Sequence, residues 1–390
     1  MSFERSEELW SLLFGSSVVE SDILRWTNQK FGCLSDTGFV LNQSQGGPCG
    51  VLAPIQAFLI HALIHQHLAS SLDALKTISA SQCETPLVAV IASIIQRALP
   101  IPNFPVIYLA LESIESKQFS VKERFDVSSM TVLDALASVV ASRTIDQVMA
   151  DMDDSSTSLI ERFGHCSQET LNLMLIGRAV SNVFDRDQPM GDTGMVLHGV
   201  PDDSDVFVGL MSELEYLRYV CVGQKLKNPR YPFWVLGSAS HYTVLFSFDS
   251  STCYVPTIER VKDRIVSQFS AFQFDQGLMD ESRLNELAAA LDLPPPELST
   301  RTALCQSGLV ILDDVMQWAS PQLLARPEFA EPPQDVTKEF DQLYLVNNQT
   351  PTDVYSVQIF PSGTSSCSDP TLLAIIHTRW PGKAIVVSHI

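Results

Sequence analysis

The chain of 390 residues exceeds the usual extent of one packed core, which excludes a small disulfide scaffold and leaves one elaborated domain or two ordinary ones. Lys plus Arg total 25 and Asp plus Glu total 45, and the net charge of −20 makes a nucleic-acid backbone or an anionic membrane surface a poor partner. A protein with a basic face suits that field better, and 45% hydrophobic with 18% charged residues describes a globular chain, not a disordered one.

The start, Met1 to Glu8, lacks the basic and apolar stretches of a secretory signal, and apolar runs such as Pro86 to Ile95 fall short of the roughly 20 residues that span a bilayer. The expectation is a soluble monomer of the cytoplasm, the nucleus or both, since neither a nuclear basic cluster nor a lipidation motif is visible. Eight cysteines stand singly with no CxxC pair, which disfavours disulfide frameworks and zinc ribbons. No metal and no cofactor is expected.

In chain order, the spacing of apolar residues predicts helices over Ser6–Leu13, Cys49–Leu68, Ser70–Ile78, Leu87–Leu99, Thr131–Ser142 and Ser167–Val183. Proline-punctuated turns and the Ser/Asp-rich segment Asp151–Ser158 separate them. From about Tyr231, aromatic and β-branched residues predict strands over Phe233–Leu236 and Tyr242–Phe248, then Leu343–Val346, Tyr355–Phe360 and Leu372–Ile376. Helices first and strands later argue an α+β architecture. Ser282–Leu291 and Leu312–Trp318 read as helical again, so 265–318 looks like an insert between strands, and a Pro-rich connection, Arg326–Asp335, leads back into strand material.

The segment from Asn42 to Ala53, NQSQGGPCGVLA, carries the strongest chemical signal. Glycines and a proline allow a tight turn that delivers Cys49 to the start of an apolar helix, where unpaired N–H groups and the positive end of the dipole favour a thiolate. Pro54 either costs a first-turn hydrogen bond or kinks that helix, so its start could fall later than Cys49. A nucleophile needs an oxyanion donor: Gln43, six residues before Cys49, lies at the offset papain-like hydrolases use, and Gln45 is the weaker alternative. Among eight histidines, His241 opens a strand immediately after the small-residue turn Gly237–Ser240, which suits a general base at a sheet edge. His198 and His377 stay open as alternatives. His61 and His65 have i, i+4 spacing on the helix after Cys49, but no third ligand is arranged with them. Asn347 would orient the imidazole if its strand pairs with that of His241, with Asn348 and Asp341 competing.

Three stretches then resemble the MINDY deubiquitinases: Gln43 with Gly46–Phe58, Ser167–Val183 and Trp234–Phe246. The nearest branch is the one with a degenerate EF-hand insert, and the likeness runs from Leu9 to a final strand at Thr378–Pro381, poorly over Ala69–Asp151. This resemblance implies a papain-like thiol protease with catalytic residues from 1–264 and 319–390 and an EF-hand-like helical insert over 265–318. It further implies a ubiquitinyl hydrolase that cleaves isopeptide bonds in polyubiquitin, preferring lysine-48-linked chains, with Cys49 as nucleophile, His241 as base and Gln43 as oxyanion donor. Asn347 matches the family only loosely. Against it stand a catalytically silent ubiquitin-binding adaptor and an EF-hand-like interaction scaffold. If Gly277 and Gly308 each hold position 6 of an EF-hand loop, Phe272, Phe274, Gln276 and Arg283 fall on the ligand positions of one, and Ala303, Cys305, Ser307 and Asp314 on those of the other. With one carboxylate between them, both loops should be silent to calcium.

Overall fold

Apart from residues 17, 35–37, 125, 191–193, 240, 276, 330–339 and 348–352, the computed structural model describes the whole chain, which divides into two units. One comprises Met1–Asp187, Leu197–Cys253 and Glu339–Ile390; the other comprises Gln188–Val196 and Tyr254–Lys338. The expected insert, 265–318, falls inside the second.

In the first unit, Cys49–His65 is one helix, beginning at the cysteine with Pro54 accommodated inside it. Pro54 forfeits only the donor that would have met the Gly50 carbonyl in the first turn. Val51, Leu52, Ile55, Leu59 and Leu63 are fully buried. So are Ala53, Ala57 and Ile60 on other faces of the helix, because it is packed between the helices Ala80–Arg97 and Gln168–Ile176 and the strands Phe233–Gly237 and Tyr242–Phe246. Those strands belong to a six-stranded sheet in the order Ala384–His389, Asp353–Phe360, Asp341–Asn347, Tyr242–Phe246, Phe233–Gly237, Gly209–Ser212. Its pairings are antiparallel except the last, where Gly209–Ser212 runs parallel to its neighbour. Alternation gives the sheet two apolar faces: Phe233, Val235, Val244 and Phe246 join the helical core, while Trp234, Leu236, Leu245 and Leu345 pack with Ile375, Ile376 and Trp380. The architecture is α+β, helices on both faces of a mixed sheet.

Three expected elements are corrected. Leu372–Ile376 is part of a helix, Pro370–His377, and not a strand: Asp369 caps the amides of Thr371 (2.9 Å) and Leu372 (3.2 Å), and proline opens the first turn. A short apolar run fits either period, and the cap decides. The last strand is Ala384–His389, beyond the turn at Thr378–Pro381 where the final strand was expected. The helix expected to reach Val183 ends at Ile176, where Gly177 takes a left-handed φ of 75°. A hairpin, Tyr108–Ser113 with Gln118–Lys122, also interrupts the helical half unannounced.

The second unit is a repeated helix–hairpin–helix. Thr257–Ser270, the strands Gln273–Asp275 and Leu278–Asp280, and Leu284–Ala290 form the first copy; Leu298–Leu304, Cys305–Gln306 with Leu309–Ile311, and Leu312–Leu324 form the second. The inner strands pair antiparallel, Met279 opposite Val310. Gly277 (φ 76°) and Gly308 (φ 82°) make the turns. Val261, Ile265, Phe269, Leu284, Val315 and Leu323 fill its own core.

Candidate active site

The loop before Cys49 is held by two buried glutamines. On the helix that begins at Cys49, Gln56 accepts the Leu41 amide (2.6 Å) and donates to the Phe39 carbonyl (2.9 Å). Gln29 donates to the Asn42 carbonyl (2.8 Å) and accepts the Ser44 amide (2.9 Å). Gln43 is thereby fixed inside the protein, 2% exposed, its Nε2 donating to the carbonyl of Gln45 at 2.9 Å and its Oε1 buried without a partner. Gln45 itself is exposed. Gly47 has φ 126°, and a β-carbon there would lie 2.8 Å from the Gly164 carbonyl oxygen, which Trp26 Nε1 also holds at 2.9 Å. Only glycine fits that crossing.

Cys49 sits at the helix start, 3% exposed. Backbone amides of Tyr242, Cys49, Gly50 and Gly47 favour its ionised form, as the helix-terminus argument anticipates, but burial is the larger effect and pushes the thiol up. The Tyr242 amide places the sulfur beside the residue that follows His241.

His241 and Asn347 meet: Nε2 of the imidazole and Oδ1 of the amide are 2.9 Å apart. The contact exists because Asp341–Asn347 pairs with Tyr242–Phe246, Val346 opposite Val244. Asp341 lies at the other end of that strand, opposite Ile359, and Asn348 is outside the described residues. The turn before His241 is closed by the Ser238 amide on the His241 carbonyl (2.9 Å). Burial lowers the imidazole below the ordinary histidine range, with the Asn347 hydrogen bond opposing.

The other histidines have different company. His198 Nδ1 lies 3.3 Å from Asp187, and His377 Nε2 lies 3.1 Å from the Lys383 carbonyl. The rings of His61 and His65 are 4.2 Å apart and pack on Tyr231, and burial with the neighbouring His65 lowers His61 to about 4.

Sequence reasoning missed a second thiol. Cys166 donates to the Gly47 carbonyl at 3.5 Å, the same oxygen Cys49 reaches at 3.8 Å. A β-carbon on Gly50 would come within 2.7 Å of Cys166 Cβ and 3.4 Å of the Tyr242 ring, so a glycine must follow Cys49 here. Burial, then the Cys49 charge, raises Cys166 well above an ordinary thiol. The signal available was its position immediately before the Ser167 helix; Gln29 and Gln56 offered none.

Two overlapping segments, residues 10–127 and 106–261, match the family model described as "Deubiquitinating enzyme MINDY-3/4, conserved domain". The chain is 30% identical to ubiquitin carboxyl-terminal hydrolase MINDY-3 of Homo sapiens and to that of Bos taurus, covering 74% of this chain and 75% of each relative. It is 29% identical to the probable ubiquitin carboxyl-terminal hydrolase MINDY-4 of Mus musculus, over 76% of this chain and 44% of that protein. No solved structure matches it. With the family model spanning more than half of the chain and a relative 30% identical over three quarters of its own length, the chain belongs to the MINDY-3/4 family of deubiquitinating enzymes and is a ubiquitinyl hydrolase.

Proposed function

We propose that this enzyme cleaves isopeptide bonds in polyubiquitin, lysine-48-linked chains foremost, through a thioester on Cys49 in a papain-like site. The observation that carries the reading is the His241–Asn347 hydrogen bond at 2.9 Å, made at the start of the strand Tyr242–Phe246 that packs against the helix beginning with the thiol. Asn347 holds Nε2, and Nδ1 accepts the thiol proton as sulfur attacks the terminal carbonyl. The oxyanion is met by Gln43 Nε2 once it leaves the Gln45 carbonyl. The imidazolium returns its proton to the departing lysine amine, and water, deprotonated by the same imidazole, opens the thioester. The enzyme acts as a monomer in the cytoplasm, the nucleus or both.

The test is a ubiquitin bearing a thiol-reactive carboxyl terminus, which should label Cys49. Reversible binding without labelling would mean a silent adaptor, and no binding a scaffold. Gln43→Ala should lower turnover by roughly 10²-fold with a smaller change in binding, the magnitude of a lost oxyanion donor. An equal loss from Gln45→Ala alone would transfer the role to Gln45.

The second unit is proposed as a degenerate EF-hand pair. Its support is the pairing of Met279 with Val310, each two residues after a turn glycine, the register that joins paired EF-hand loops. Strong calcium binding takes several oxygen ligands with net negative charge, and the two loops offer one carboxylate each, Asp280 at position 9 of the first, where coordination is often through water, and Asp314 at position 12 of the second. Hydrolysis rate and Tm should be unchanged between excess chelator and about 1 mM Ca²⁺, since a ligand that does not bind the native state cannot shift it. Micromolar binding in a calorimetric titration would overturn this.

A further inference from the structure

The segment that follows the parallel strand Gly209–Ser212 is built inside out. Along Glu213–Tyr219 the two carboxylates are engaged by the protein while Arg218 is exposed: half-buried Glu213 accepts the Ala239 amide at 2.7 Å, and Glu215 pairs with Lys227 at 2.6 Å and accepts the Val222 amide at 3.2 Å. The apolar residues turn outward, Leu214 45%, Tyr216 57%, Leu217 49% and Tyr219 76% exposed. Burial of Glu215 even leaves its Oε2 without a partner, and Arg218 takes φ 64°, a conformation a non-glycine residue adopts at a cost, to close the turn that presents Tyr219. A segment whose carboxylates are tied to backbone amides and a lysine while four apolar side chains stand in water is maintaining a binding surface, because hydrophobic burial alone would favour the reverse arrangement.

We infer that Leu214, Tyr216, Leu217 and Tyr219 form the docking surface for the ubiquitin whose carboxyl terminus is transferred to Cys49. The inference rests on the deubiquitinase mechanism proposed above. Continuity with the site identifies the occupant: the Glu213–Ala239 hydrogen bond ties this turn to the loop two residues before His241, so a protein whose tail enters between Cys49 and His241 meets the patch with its body. Charge agrees, since a chain of net charge −20 receives an apolar face rimmed by basic groups more readily than an acidic one. Two tyrosines at the centre of such a patch are the residue type that supplies most of the energy of a protein interface.

The test compares Tyr216→Ser/Tyr219→Ser with the unaltered enzyme, using mono-ubiquitin carrying a fluorogenic leaving group and a short tail peptide ending in Gly-Gly with the same group. The double variant should raise KM for the ubiquitin substrate about tenfold or more with kcat within about twofold, and leave peptide hydrolysis unchanged. The Tyr216→Phe/Tyr219→Phe variant should restore most of the loss. Unchanged KM for mono-ubiquitin overturns the proposal, and a defect confined to chain cleavage would move the patch to the leaving ubiquitin and overturn it as stated. Equal loss on both substrates, or a collapsed Tm, means a structural role and overturns it as well. If the unaltered enzyme itself cleaves neither the ubiquitin substrate nor lysine-48-linked chains, the mechanism proposed above has failed, and this inference falls with it.

Discussion

Replacing Cys49 with alanine is expected to abolish isopeptide cleavage while leaving ubiquitin binding largely intact. The substitution removes a buried sulfur and nothing else that shapes the site: the turn is held by Gln29 and Gln56, and the Gly47–Gly164 crossing does not involve the side chain. The other thiol on the Gly47 carbonyl, Cys166, does not take over in the variant, because its burial, which does not depend on the Cys49 sulfur, still holds it protonated above an ordinary thiol, and it does not begin a helix. Gel-based cleavage of defined chains and a binding titration check both halves, and full activity in C49A would sink the assignment.

His241→Ala is expected to lower turnover on the order of 10³-fold or more, as removing a member of a catalytic unit does. The same change at His198 or His377 should cost little, since Asp187 and the Lys383 carbonyl occupy those rings. The pH profile supplies a second check. Burial disfavours the imidazolium, so the neutral base persists below the ordinary histidine midpoint of about 6.5, and the acid limb of kcat/KM should fall below that value. In Asn347→Ala the hydrogen bond that raises the imidazole is lost, which shifts the acid limb further down. An essential His377 with a dispensable His241 would show that the strand does not carry the base.

What the sequence by itself determined is the local chemistry. A turn of Gly46, Gly47 and Pro48 before an apolar run places Cys49 at a loop-to-helix junction, and a small-residue turn places His241 at the start of a strand, although in the sheet that strand is central, paired on both sides, and not at the edge the sequence suggested. Both readings depend on neighbours in the chain, which periodicity reports. Asn347 was legible only conditionally, because its contact with His241 needs two strands about a hundred residues apart to pair. Leu372–Ile376 was misread because five apolar residues satisfy both periods, and the Asp369 cap that settles it is a side-chain geometry. Cys166, Gln29 and Gln56 reached the site through contacts between segments distant in the chain, for which no spacing rule exists. The direction of the Cys49 thiol was likewise a tertiary outcome. The helix start and its amides pull it toward the thiolate, but the depth at which the rest of the fold encloses it decides the sign, because desolvating a charge outweighs a few amide dipoles.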